Sequence, residues 1–555
     1  MKVHYKALLA LAVLGLALAL TGWGLIQLST LRGTVNAAGI PVGGAIVRVQ
    51  GSSDYALTDA EGRFTLPVAP FSGEQHVTAW AEGYFISHTA GAPLSEIMLL
   101  LRAHPIEDNL EYAFVSPVLH PDVEGACVRC HASRSGDPNA PLPVDEWRLD
   151  AHSGSATNPR FLSLYNGTTL TGELGALTQY QFDTELGIDV PLPDQPDVGF
   201  RLDYPESNGV CATCHAPVLA LEQPTTADPN AAVDVAAEGV TCDLCHKIAA
   251  VRLAVSGLPS ANLPGVESLE FLRPPDGEQI FFGPYDDTPG DDVYLALQSE
   301  SQFCAACHTG TFWGVSMYNS FGEWLASPYS DPVSGQTCQD CHMPTLGVTT
   351  FVDLPPDVTQ FVPERDPHTI FSHRMPGAGD LNLLQTTAQV TVDAERVGDN
   401  LDVSVTVTNT GAGHSIPTDN PLRNLILLVE ARDANGQPLA FTEGATIPEW
   451  GGVGDPAAGY YAGLPGVLYA KILADFYTGE LPTTAYWRQT RLVSDNRIAA
   501  LASDVSNYTF ELPAGAGEVT VEARLYLRRA FIELMAAKGW ETPDILMEQV
   551  VRVVP

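Results

Sequence analysis

All ten cysteines of this 555-residue chain fall in five copies of one pattern, Cys-x-x-Cys-His. The copies are Cys127-Val-Arg-Cys130-His131, Cys211-Ala-Thr-Cys214-His215, Cys242-Asp-Leu-Cys245-His246, Cys304-Ala-Ala-Cys307-His308 and Cys338-Gln-Asp-Cys341-His342. Two cysteines spaced this way can bind zinc, form a redox disulfide or attach a haem. Zinc and disulfide chemistry leave the histidine after every second cysteine unexplained. Covalent haem attachment accounts for it, because the two cysteines form thioethers to the vinyl groups and the histidine falls beneath the iron. The pattern therefore implies five covalently attached haem c groups, with His131, His215, His246, His308 and His342 as proximal ligands.

Haem is joined to such motifs outside the cytoplasm, so the chain must be exported, to the periplasmic or extracellular face. Residues 1–29 fit that need: Lys2 and Lys6 precede an apolar run from Ala7 to Leu28. This segment reads either as a signal peptide, with Ala17-Leu18-Ala19 as a small-x-small site, or as an uncleaved membrane anchor. No cysteine precedes Cys127, which excludes a lipoprotein anchor. In both readings the positive flank stays inside and the body lies outside.

The 66 acidic and 28 basic side chains give a formal net charge of −38. Nucleic acid is excluded as a partner on that balance. A basic redox protein, a cationic metal species or another cytochrome bridged by cations suits it, as does plain solubility.

The length calls for several domains. Residues 30–102 carry short alternating segments such as Ala45-Ile46-Val47-Arg48-Val49 and His76-Val77-Thr78-Ala79-Trp80 between Gly- and Asp-rich turns, and predict a β-sandwich. Residues 103–380 hold all five motifs and are dense in Pro, Gly and Asp, so a loop-rich, mainly α multihaem domain is expected there. Residues 381–555 return to strand patterning, as in Leu401-Asp402-Val403-Ser404-Val405-Thr406-Val407, and predict an immunoglobulin-like β-sandwich. Within that zone Arg529 to Gly539 has helical spacing, with Phe531, Leu534 and Met535 on one face. The motif pairs at Cys211/Cys242 and Cys304/Cys338 are close in sequence, which favours neighbouring haems.

Fourteen histidines are present; beyond the five proximal ones and His4 in the leading segment, eight remain for distal ligation. His76 and His88 read as ordinary sandwich residues. His120, His152, His368, His373 and His414 are the candidate distal ligands, with His104 left over. His152 follows a helix-compatible stretch from Glu146, and His414 sits in Asn409-Thr410-Gly411-Ala412-Gly413-His414-Ser415-Ile416-Pro417, a glycine-rich loop that interrupts strand patterning. The same loop could instead hold a turn histidine bonded to backbone. Met317 and Met375 are further possible ligands, though core packing suits both. Asp286-Asp287 and Asp291-Asp292 lack calcium-loop spacing and read as solvated acid.

Two resemblances add to this. Leu31-Arg32-Gly33-Thr34-Val35, Gly39-Ile40-Pro41-Val42-Gly43-Gly44-Ala45 and Thr58-Asp59-Ala60-Glu61-Gly62-Arg63-Phe64 resemble the carboxypeptidase regulatory-like domain, which implies a spacer or adhesion module. The central zone resembles the multihaem cytochromes c related to hydroxylamine oxidoreductase and the pentahaem nitrite reductase. The five motifs, Glu146-Trp147 leading to His152, Cys338-Gln339-Asp340-Cys341-His342-Met343-Pro344 and the His414 loop carry that likeness. In the pentahaem nitrite reductases a lysine typically replaces one proximal histidine; here all five motifs end in His, which argues against that enzyme. The expected role is electron transfer along mostly bis-His haems. The alternatives are a reductase of a small nitrogen or sulfur compound at one open-site haem, with Arg148, Arg160, Arg201 and Arg374 as basic groups, or a subunit of an extracellular cytochrome filament or other oligomer.

Overall fold

The computed structural model describes residues 30–68, 73–93, 95–119, 126–136, 140–358 and 360–555. The expected signal or anchor segment and His120 lie outside the described residues. No helix of the described residues is long and apolar enough to cross a membrane. The molecule is multidomain, with many β-sheets and few helices.

Alternation of apolar and polar residues builds the first unit, as in β5 below, where Phe64 and Leu66 point inward. Its strands are β1 (Thr30–Ala37), β2 (Ile40–Pro41), β3 (Ile46–Val49), β4 (Tyr55–Leu57), β5 (Arg63–Pro67), β6 (Gln75–Trp80), β7 (Ser87–Gly91) and β8 (Glu96–Leu101). β1 pairs antiparallel with β2 and β5 and parallel with β8, while β4, β3, β6 and β7 form the second sheet in that order. Leu31, Val35, Val47, Leu66, Val77 and Leu99 close the space between the sheets. Gly33 is required at its position, because a Cβ there would run into the Ile97 carbonyl and the Phe64 ring.

The acidic run that reads as solvated is instead the fastening of this unit to the central zone. Arg48 holds Asp286 through two bonds of 2.8 Å, the Gly51 N–H donates to the buried Asp287 at 2.7 Å, and Arg102 reaches Asp291 at 2.9 Å; Arg365, from within the central zone, pairs with Asp287 at 2.8 Å. Nothing within the run signals these partners, which lie far away in sequence.

The central zone is less helical than the mainly α domain expected. Its longest described helix is Pro159–Asn166, capped by Asn158, opened by Pro159 and closed by Gly167 at φ +74°. The other helical turns barely exceed the motifs they carry, and two-stranded ribbons such as Ile248–Val251 with Leu269–Phe271 lie between them. Frequent Pro and Gly stop each helix early, so the motifs ride on single turns.

The C-terminal unit is a sandwich of two sheets. One orders the strands Ala388–Val397, Asn400–Asn409, Ser503–Glu511 and Ala440–Gly444; the other orders Thr490–Asp495, Gly466–Asp475, Asn424–Arg432, Val519–Arg528 and Ile545–Val554. Leu401, Val403, Val405 and Val407 face Leu425, Leu427 and Val429 across the core. The strand Asn424–Arg432 is apolar on both faces because Ile426 and Leu428 pack outward beneath the helix Ile532–Lys538. That helix ends at Gly539, φ +66°. It also meets the central zone: Lys538 Nζ donates to the Ser163 carbonyl and Trp540 Nε1 to Ser163 Oγ.

Candidate haem centre

In four motifs the histidine N–H donates to the carbonyl of the first cysteine one turn back, at 2.9 Å in His131, 3.1 Å in His215, 2.9 Å in His246 and 3.1 Å in His308. Residues i, i+3 and i+4 of one turn share a face, so both thiols and the imidazole point the same way. The fifth motif lies on the helix Cys338–His342, where Thr337 and Asp340 form a reciprocal capping box. Thr337→Ala is expected to destabilise the chain by about 1 kcal/mol. Chemical denaturation of the haem-loaded protein would register it, and an unchanged midpoint would remove the cap from the account.

The donor set fits haem. All ten cysteines are free of disulfides and half-buried. The cluster beside them is built of small side chains, Ala156, Ala212, Ala216, Ala220 and Ala306 among them. Burial pushes the Cys211 and Cys245 thiols up to about 12.

The imidazoles are oriented as ligands. Nδ1 of His131 meets the Phe351 carbonyl at 3.0 Å, that of His246 the Phe282 carbonyl at 2.6 Å, and that of His342 the Pro376 carbonyl at 2.7 Å. Three distal candidates repeat the arrangement: His152 with Asp150 Oδ1 at 2.6 Å, His373 with the Phe371 carbonyl at 3.3 Å, and His414 with the Ser415 carbonyl at 3.0 Å. A proton held at Nδ1 leaves the Nε2 lone pair for a metal. Burial pushes His215 and His373 down to about 4, so both are neutral near pH 7.

Two proximal histidines each face a second one. The ring centres of His342 and His414 lie 6.3 Å apart with planes 17° from parallel, and those of His308 and His152 lie 6.3 Å apart at 73°. Two metal–nitrogen bonds of about 2 Å, plus about 1.2 Å from each nitrogen to its ring centre, place the centres about 6.4 Å apart. Both pairs match an iron held between them. His373 lies near His246 and His131. His368 is exposed, with its backbone N–H held by Asp366, and no histidine ring meets it among the described residues. Met317 is fully buried in core.

The stretch from Glu146 to His152 ties these positions together. Glu146 accepts from Ser372 Oγ at 2.7 Å and from the His373 N–H at 2.8 Å, so it sets the His373 loop. Trp147 Nε1 donates to the Val240 carbonyl beside the third motif, and His152 meets the fourth.

Contacts between thiols order the motifs in space. The thiols of Cys127 and Cys242, of Cys214 and Cys307, and of Cys304 and Cys338 lie close enough to act on each other, and Cys245 lies near both Cys304 and Cys307. The fourth motif therefore adjoins the second, third and fifth, and the first adjoins the third. The thiols of Cys304 and Cys338, close in sequence, meet directly, while the second and third motifs share a packed cluster through Ala212, Ala216 and Ile248.

Among the described residues no contact with another histidine ring is made by His131, His215 or His246; at the second motif the tyrosines Tyr318 and Tyr486 approach Cys211. Their rings meet edge to face at 5.7 Å, and burial pushes Tyr486 up to about 12. Asp419, at φ +67°, places Oδ2 3.8 Å from His308 Nδ1, and its charge also bears on His215. Despite burial, the neighbouring His308 holds the Asp419 carboxyl well below the usual range. None of these three residues carries a sequence motif. His104, set aside on sequence, packs against Phe282 and donates through Nδ1 to the Pro105 carbonyl at 2.6 Å, so it too belongs to the surroundings of the third motif.

No protein-family model matches this chain, and no curated protein matches it. Solved structures do. One is similar over most of the chain. It is a penta-heme cytochrome c552 from Thermochromatium tepidum, at 19% identity over 74% of this chain and 96% of that chain, with a TM-score of 0.49. A type II cohesin–X-dockerin complex from Acetivibrio cellulolyticus is similar over 14% of this chain and 58% of that chain, at 20% identity with a TM-score of 0.12. Both likenesses are weak, and the haem reading stands on the residues described above.

Proposed function

We propose that this chain is an exported pentahaem c-type cytochrome that passes electrons among covalently bound, mostly bis-His haems. The observation that carries the reading is the pair of facing histidines, His342 with His414 and His308 with His152, each at the separation an iron between them demands. Haem c supplies the redox chemistry, and the chain supplies axial nitrogens, low-polarity surroundings and fixed charges that set each potential. The thiol contacts favour a branched path with the fourth motif as its junction. A net charge of −38 favours a redox partner with a basic face. The first sandwich would act as a spacer between the haems and a membrane or surface.

A second reading, a reductase, is favoured at one place. The iron of His215 would have two buried phenols, Tyr318 and Tyr486, and the Asp419 carboxylate near it, where the irons of His308 and His342 would have a facing histidine. Those groups can hold and deliver protons to a small bound molecule.

Haem content against protein concentration, with the electron paramagnetic resonance spectrum of the oxidised protein, tests both. Five haems per chain with predominantly low-spin iron are expected. Fewer than five, or mainly high-spin iron, would overturn the carrier reading. A high-spin share near one haem in five that changes on adding cyanide would place an open site at one iron and favour the reductase.

A further inference from the structure

The antiparallel ladder ends with Asn424 opposite Arg528, and Arg423 and Arg529, one residue beyond those strand ends, lie near enough for their charges to act on each other. Like charges so placed repel. Arg160, on the helix Pro159–Asn166, comes in from the central zone beside them; its Nη2 donates to Thr542 Oγ1 at 2.6 Å, just beyond the helix that follows Arg529. Burial first, then the charges of Arg160 and Arg423, pushes Arg529 below its ordinary value.

No carboxylate lies within 4 Å of any of these three guanidinium groups among the described residues. The four most buried arginines, Arg273, Arg365, Arg488 and Arg528, each hold an aspartate. In a chain with 66 acidic and 28 basic residues, three neighbouring arginines without a paired carboxylate among them run against the overall charge balance. Arg529 Nε is buried and has no hydrogen-bond partner within the protein. Arg423 spends one nitrogen on the Thr418 carbonyl at 3.1 Å. The Arg529 guanidinium lies over Gly379, where a Cβ would crowd it at 3.1 Å. A buried donor left unmet and three converging positive charges are both relieved by an anionic oxygen ligand.

We infer that Arg160, Arg423 and Arg529 form a cradle for one anionic oxygen group, a carboxylate or small oxyanion, at the seam between the central zone and the C-terminal sandwich. The cradle lies between haem neighbourhoods: Arg160 precedes Phe161, whose ring stacks on His215 at 3.8 Å, and the charge of Arg423 bears on His414 and Asp419. Two sources share this chemistry. One is a propionate of a neighbouring haem, and the other is a free oxyanion from solution.

The test uses the haem-loaded full chain, Arg529→Gln, Arg423→Gln and the charge-retaining Arg529→Lys. Sulfate is titrated calorimetrically in low-salt buffer, and all five midpoint potentials are measured. For a free oxyanion, the wild type binds one sulfate, either Gln variant weakens it at least about tenfold, the loss of one charge-assisted hydrogen bond, and Arg529→Lys weakens it less. For a propionate, the wild type binds no sulfate, and each Gln variant lowers the potential of one haem, because a positive charge that disfavours its ferric form has gone. Unchanged sulfate titrations together with unchanged potentials in both Gln variants overturn the inference. So does a rise in thermal stability of both variants with no change in either readout, the mark of simple repulsion relieved.

Discussion

His414→Ala converts the haem of the fifth motif from low-spin to high-spin iron and leaves the other four unchanged. The expectation rests on the 6.3 Å separation and near-parallel rings of His342 and His414. The loop that presents His414 is held independently of its imidazole. Asn409 Nδ2 donates to the His414 carbonyl at 2.8 Å and to the Ile498 carbonyl at 3.1 Å, and its Oδ1 accepts from the Ala412 N–H. Glu323 accepts from the Ser415 N–H and from Thr418 Oγ1. Removal of the ring therefore opens a ligand position without releasing the loop. Electron paramagnetic resonance reads the change as a high-spin signal near one haem in five, and added imidazole should restore the low-spin form. His368→Ala, at an exposed position, serves as the control with no spectral change. If the His414 variant stays wholly low-spin, another residue ligates that iron and the pairing is wrong.

The sequence is legible where the chemistry is local. The five motifs each put two thiols and an imidazole on one turn, because a spacing of i, i+3, i+4 is decided over five residues. The alternation in Leu401–Val407 names a strand face, and the spacing of Phe531, Leu534 and Met535 names the face that packs on the sheet. His414 stood out because a glycine-rich interruption in a strand needs a reason. What sequence concealed depends on long-range pairing. The acidic run at Asp286–Asp292 takes its meaning from Arg48, Arg102 and Arg365, and nothing within the run signals them. Tyr318, Tyr486 and Asp419 meet around the second motif from separate segments, and Arg423 meets Arg529 only through the register of two strands. The partner of His152 could not be read either, since its motif lies about 150 residues away in the chain.

Asp203→Ala is expected to destabilise the folded chain by about 3–5 kcal/mol, because it strands a buried charge. Asp203 is 4% exposed and joins the central zone to the C-terminal sandwich. Its Oδ2 accepts from Arg488 Nε at 2.8 Å and its Oδ1 from Arg488 Nη2 at 2.6 Å; Trp487 Nε1 and Thr178 Oγ1 also donate to it. Without it, the guanidinium keeps only Asp475 at 3.6 Å, and the indole and hydroxyl lose their acceptor. Tyr486 precedes these two donors in the chain, so the same anchor positions a phenol beside the second motif. A pure stability role and a positioning role separate in a variant that removes the whole ionic group. Asp203→Ala with Arg488→Met alone would strand the fully buried Asp475, so Asp475→Asn is added; replacement of a buried ionic group is often near neutral, and most of the loss should return. If denaturation midpoints recover while the spectrum or ligand response of one haem stays altered, the pair also places Tyr486. A loss below about 1 kcal/mol in the single variant would mean that water reaches Arg488 and that the seam is held by other contacts.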